Sequence, residues 1–201
     1  DSFELGDRIF GELETLPDSE MERIIALLFT VAETARQLPE PEAKWALSWG
    51  DMFDRGPDAP LMVRARRQML NLFSYRDDAH IAAWQPDGAG GQEWEAFSLV
   101  WQGDATTAAE LVEKLPYRRY DEDAYEEALQ SLVARGWIAE EDEGYAATEK
   151  GKKLRQEAED ATDRYFDAAW VSLSEAEMEE IKGLLGKLAE VRQPPEEEPA
   201  Q

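Results

Sequence analysis

Only one histidine is present, His80, in the segment Tyr75–Gln85 (YRDDAHIAAWQ). Any serine–histidine–aspartate relay must use it. Asp77 and Asp78 beside it supply the residue types for an oxygen- and nitrogen-ligated metal. Two Asp and one His at the start of a helix also read as an N-cap and a helix-dipole contact, and that is the expectation carried forward. No metal, cofactor or catalytic set is assigned. Cysteine is absent, which excludes disulfides, thiolate metal sites and cysteine nucleophiles. The Gly88–Gly91 run lacks the lysine of a phosphate loop and follows no strand. With 45 acidic residues, no carboxylate pair stands out as an acid/base couple. These residues describe a protein that is not an enzyme.

A different set suggests binding. Trp45, Trp49, Met69, Phe73, His80 and Trp84, with Met52 and Met62, can line an apolar ligand pocket or form a plain core. Arg64, Arg66, Arg67 and Arg76 then either meet an anionic ligand or pair with neighbouring acids. Further on, Arg118 and Arg119 form one basic cluster, and Lys150, Lys152, Lys153 and Arg155 form another. These two clusters can grip phosphates at the edges of a DNA footprint, with Gln130 between them as a base reader. They can equally pair with surrounding carboxylates.

The formal net charge of −24 opposes broad contact with nucleic acid or an anionic membrane. Apolar residues make up 43% of the chain, enough for a packed core. No run approaches the roughly 20 apolar residues that span a bilayer. The absence of cysteine fits a reducing compartment, so a cytoplasmic protein is expected.

The elements that must position these residues are mostly helical. Ile9, Phe10, Leu13 and Leu16 mark a short helix over Asp7–Leu16. Ser19 with Glu22 reads as a capping box ahead of Ile24, Leu27, Leu28, Val31 and Ala35. Ala43–Phe53, Leu61–Phe73 and Asp78–Trp84 read as three further helices. Gln85–Gly91 (QPDGAGG) is the clearest hinge, and the domain boundary is placed there. After it come a helix from Trp94 to Trp101 and a second opened by Thr107 and Glu110. Pro116–Tyr120 is a turn, and Asp121 caps a third helix that closes at Gly136. Trp137–Ala139 and Tyr145–Thr148 read as two short strands around the acidic turn Glu140–Gly144. Thr148 then caps a long helix, and Ser174 with Glu177 opens the last one. Apolar residues at Met178, Ile181, Leu185 and Leu188 give that helix a heptad-like seam.

Helix, helix, turn, helix, hairpin, helix is the order of a winged helix-turn-helix, expected over 93–170. Leu129–Gly136 (LQSLVARG), Trp137–Ile138 and Tyr145–Gly151 (YAATEKG) resemble the recognition helix, wing and following helix of the MarR-like superfamily. There the wing commonly closes on an LT-x-x-G segment, and Ala147, Thr148 and Gly151 stand in that pattern. Glu159–Trp170 followed by Ser174–Leu185 is similar to the SalK-like helix-turn-helix subgroup, in which a helical region precedes the winged helix.

The resemblance implies a mainly α fold, with a helical N-terminal domain over 1–86 and a winged helix with C-terminal helices over 92–192. Residues 193–201 are expected to be a disordered acidic tail. It further implies a transcriptional regulator, possible as a homodimer and as a ligand-responsive protein with a small-molecule effector. The expected reading surface is acidic, however. Asp121–Glu143 holds nine acids against Arg135 alone. DNA contact is therefore confined to a limited basic edge. The alternative is a module that has lost groove reading and binds a basic protein surface.

Overall fold

The computed structural model describes residues 13 and 15–191. Within them it is mainly helical, with a single two-stranded antiparallel sheet. Most of the expected Asp7–Leu16 helix and all of the 193–201 tail lie outside the described residues. No helix among them is long and apolar enough to cross a membrane. The chain divides into two compact units, Asp1–Ala79 with Arg164–Gln201, and His80–Asp163. Gln85–Gly91, where the domain boundary is expected, lies within the second of these units. The last helix and the end of the one before it, from Arg164 on, expected in the winged-helix domain, fall in the first unit.

The first unit begins with α1, Asp18–Gln37. It starts after Pro17 with no side-chain cap, so the expected Ser19–Glu22 box does not form. Asp18 and Glu20 in its first turn favour the positive end of the helix dipole instead. Ile24, Leu28 and Val31 on its apolar face are fully buried or nearly so. They pack in one cluster with Ile181, Leu184 and Leu188 of α8, Glu175–Val191. The contact is framed by ion pairs: Arg23 with Glu180 at 2.7 Å and Glu177 at 3.3 Å, and Lys187 with Glu20 at 2.6 Å. The heptad-like seam of the last helix is therefore used inside its own unit, with Met178 and Leu185 packed against the same cluster. The Ser174–Glu177 box forms as the spacing predicts, with Ser174 N donating to Glu177 and Glu177 N to Ser174.

A short α2, Trp45–Gly50, leads to a 3₁₀ turn at Asp51–Phe53. Next, α3 runs from Leu61 to Trp84 as one helix rather than the two expected. No Pro or Gly interrupts Ser74–Asp77, and Asp78 does not cap its own helix. Its buried carboxylate accepts from Ala46 N and Leu47 N, both at 2.9 Å, and so caps α2. Tyr75 is fully buried and donates to Tyr165 O at 2.8 Å. Burial pushes its phenol up to about 12.

The second unit holds α4 (Gly91–Gln102), α5 (Ala108–Lys114), α6 (Glu122–Arg135), β1 (Ile138–Glu141) and β2 (Gly144–Ala147). It also holds α7, Glu149–Trp170, as far as Asp163. Each boundary follows a local signal in the sequence. Gly103 and Gly136 end α4 and α6 at φ 77° and 70°, Thr107 accepts from Glu110 N, and Asp121 accepts from Ala124 N. Phe97, Leu111, Leu129, Leu132 and Ile138 are buried together.

Candidate nucleic-acid interface

In this arrangement α6 is the third helix of the motif and β1–β2 form the wing. The strands pair Ile138 with Ala147 and Glu141 with Gly144, leaving Asp142 and Glu143 as a two-residue turn. The wing strands are thus one to two residues longer toward the tip than the sequence predicts, and Glu140 and Glu141 belong to β1. The tip of the wing is tied down at Gly144, whose φ is 137° and whose Cβ, if present, would press on the Thr106 carbonyl. That closeness lets Tyr145 N donate to Thr106 O at 2.8 Å.

The Thr148–Gly151 pair is explained in the same physical terms. Thr148 Oγ1 accepts from Gly151 N at 3.0 Å and donates to Gly136 O at 2.8 Å. A Cβ on Gly151 would overlap the Trp137 carbonyl, so the helix can pack on the strand only with glycine there.

An aromatic cluster stiffens this unit from within. Trp94 stacks on Trp84 at 5.3 Å and meets Trp137 edge-on at 6.3 Å. His80 joins the cluster. Its Nε2 accepts from Trp94 Nε1 at 3.2 Å, and its Nδ1 lies 3.3 Å from Thr162 Oγ1. That hydroxyl donates to Ala158 O, so Nδ1 carries the proton and the ring is neutral. Both ring nitrogens are engaged inside the fold. Among the described residues no group of three His, Asp or Glu is arranged to hold a metal.

The nominated DNA contacts fare unequally. Arg118 is held by Glu95 through bonds of 2.8–3.0 Å, which raise the guanidinium further above its ordinary pKa. Gln130 donates to Glu126 at 3.0 Å and to Tyr145 Oη at 2.7 Å, and Tyr145 in turn donates to Glu126 at 2.8 Å. These bonds, Gln130 first, hold the Glu126 carboxyl below its ordinary range. Burial, and then Glu126, pushes the Tyr145 phenol up.

Lys150 donates to Arg135 O at 2.6 Å, capping the end of α6. Lys152 is paired with Glu149 at 2.8 Å and Lys153 with Glu157 at 3.7 Å, both exposed. Arg155 does not join the edge. It is buried, paired with Glu159, and lies over the Trp94 and Trp101 rings at 5.2 and 5.0 Å. Arg119, at φ 60°, is exposed and makes no ion pair or hydrogen bond among the described residues.

The facing acids remain open: Glu122, Asp123 and Glu127 on α6, and Glu140, Glu141, Asp142 and Glu143 on the wing, are all exposed. The sequence reading missed Glu95, whose spacing from Arg118 is non-local, and the Gln130–Tyr145–Glu126 triad, which needs the wing register.

The nominated pocket residues are divided between the units. Trp45, Trp49 and Phe73 are 80%, 64% and 66% exposed, while Met69 packs partly on the first core. His80 and Trp84 belong to the aromatic cluster of the second unit.

A model of a helix-turn-helix family matches residues 6–193. No curated protein and no solved structure matches the chain.

Proposed function

The chain belongs to this helix-turn-helix family, and from that premise we propose that it is a winged-helix regulator of the MarR-like class, in the SalK-like subgroup. Its contact with duplex DNA is a narrow edge rather than the face of α6. The observation that carries this reading is the complete helix–turn–helix–wing, tied together at Thr106–Tyr145 and Thr148–Gly151. The charges set its limits. Arg119, Lys152 and Lys153 are the nominated cations most open to phosphate, while Arg118, Lys150 and Arg155 have partners in the fold.

Titration of a fluorescent random duplex at about 50 mM salt tests it. The expected result is weak binding whose salt slope corresponds to about two or three phosphates. Arg119→Ala is expected to reduce both affinity and slope. Sedimentation of the same sample tests the homodimer that the resemblance implies.

A second reading has its own support. The exposed carboxylates of α6 and the wing form a face with no open cation, and Gln130 is engaged by Glu126 and Tyr145. Such a face suits a basic protein surface. Undetectable duplex binding at low salt, together with capture of a lysine- and arginine-rich peptide that Glu140→Lys abolishes, selects this reading over the first.

A further inference from the structure

We propose that a cavity of the first unit binds a small monocarboxylate with an apolar body. The cavity is about 370 Å³, within the range of small-molecule sites. It is walled by α1, α3 and the loop at 54–57. Arg64 and Arg67 line it one helical turn apart on α3, and Ile25 and Phe29 line it from α1. Phe29 is 50% exposed, an aromatic surface left open beside two guanidinium groups.

In a chain with 45 acids against 21 bases, pairing is the ordinary fate of an arginine. Neither Arg64 nor Arg67 makes an ion pair among the described residues. The guanidinium of Arg67 donates to the neutral amide of Asn71. It lies so close to Gly50 that a Cβ there would collide with it. Burial lowers its pKa, and the nearby Asp51 and Asp54 carboxylates offset that only in part. A ligand carboxylate supplies a direct partner through two parallel N–H···O bonds, a geometry that arginine offers and lysine does not.

Glu22 and Asp54 also line the cavity, and Asp54 accepts from Gly56 N at 2.8 Å. They cancel much of the long-range attraction. Recognition therefore rests on contact with the two forks and on burial of the apolar body against Ile25 and Phe29. The same two acids disfavour dianions. The cavity differs from the tryptophan-lined pocket expected from sequence, and its occupancy does not depend on duplex binding.

Calorimetric titration of the full chain with 3-phenylpropionate, 3-phenylpropionamide and inorganic phosphate tests the assignment. The carboxylate is expected to bind saturably and raise the melting temperature, with no binding of the amide or of phosphate. Arg64→Gln and Arg67→Gln should each weaken carboxylate binding by about tenfold or more. The Arg64 side chain makes no hydrogen bond or ion pair among the described residues, so its variant retains the native circular dichroism if the Arg67 variant does not. No heat with the carboxylate at millimolar concentration, equal binding of the amide, or wild-type affinity in Arg64→Gln would overturn the proposal.

Discussion

The two compact units solve the packing problem with different residues. The first buries an aliphatic core of Ile, Leu, Val, Ala and Met around Tyr75, and leaves Trp45, Trp49 and Phe73 in water. The second buries Trp94, Phe97, Tyr125 and Trp137, and draws Arg155 in over two indole rings. Residue type alone would have reversed two of these assignments, putting the tryptophans inside and the arginine outside. Burial is decided by which face of a helix meets a partner, and a charged side chain can go inside when a carboxylate and aromatic faces receive it.

Substitutions can break this contrast, beginning with the largest effect. Phe97→Ala opens a hole in the aromatic core and should cost about 3–5 kcal/mol, whereas Phe73→Ala on the first unit should cost less than about 0.5 kcal/mol. Chemical denaturation of both variants checks the pair, and equal losses would end the distinction drawn between the two units. Gly151→Ala forces a methyl into the Trp137 carbonyl and should cost about 3 kcal/mol, read by the same method.

The first unit offers a sharper test of a single hydrogen-bonded group. Asp78→Ala removes the carboxylate that receives two backbone N–H groups of α2 and should cost about 1–2 kcal/mol. Calorimetry should show a lowered melting temperature with the second unit unchanged. At Gly186, by contrast, a methyl meets nothing within 4 Å, so Gly186→Ala should stabilise α8 by about 0.5–1 kcal/mol.

Titration gives the smallest effect. Glu177 and Glu180 are held below the ordinary carboxylate range, the first chiefly by Ser174 and the second chiefly by Arg23. A depressed folded pKa stabilises above the unfolded pKa, and that contribution is lost as pH falls through the folded value. Asp77 is raised by burial and works the other way, gaining stability as it protonates. A double variant Glu177→Gln, Glu180→Gln should flatten the acid limb of a melting-temperature profile. An unchanged profile would remove these contacts from the stability of the first unit.

Much of the second unit was legible because its signals are local. Thr107, Asp121, Gly136, Thr148 and the acidic wing tip each fix a boundary within a few residues, and the family match agrees with the motif they spell. The first unit was less legible because its contacts are remote in sequence. Nothing near Asp78 says that it will cap a helix some thirty residues earlier, and nothing in α8 names α1 as its partner. The candidate interface lay between these cases. The acidity of α6 and the wing was readable by counting. The ties that occupy Arg118 and Gln130 depend on Glu95 and on the strand register, which only the folded chain supplies.

The stacking of Trp84 on Trp94 also gives the second unit an optical label. Indoles locked 5.3 Å apart and 11° from parallel lie in a fixed chiral setting, and near-ultraviolet dichroism is sensitive to such packing. Trp45 and Trp49, bathed in solvent, contribute red-shifted emission that a soluble quencher reaches. Melting followed at both signals would report each unit by its own tryptophans, without any added dye.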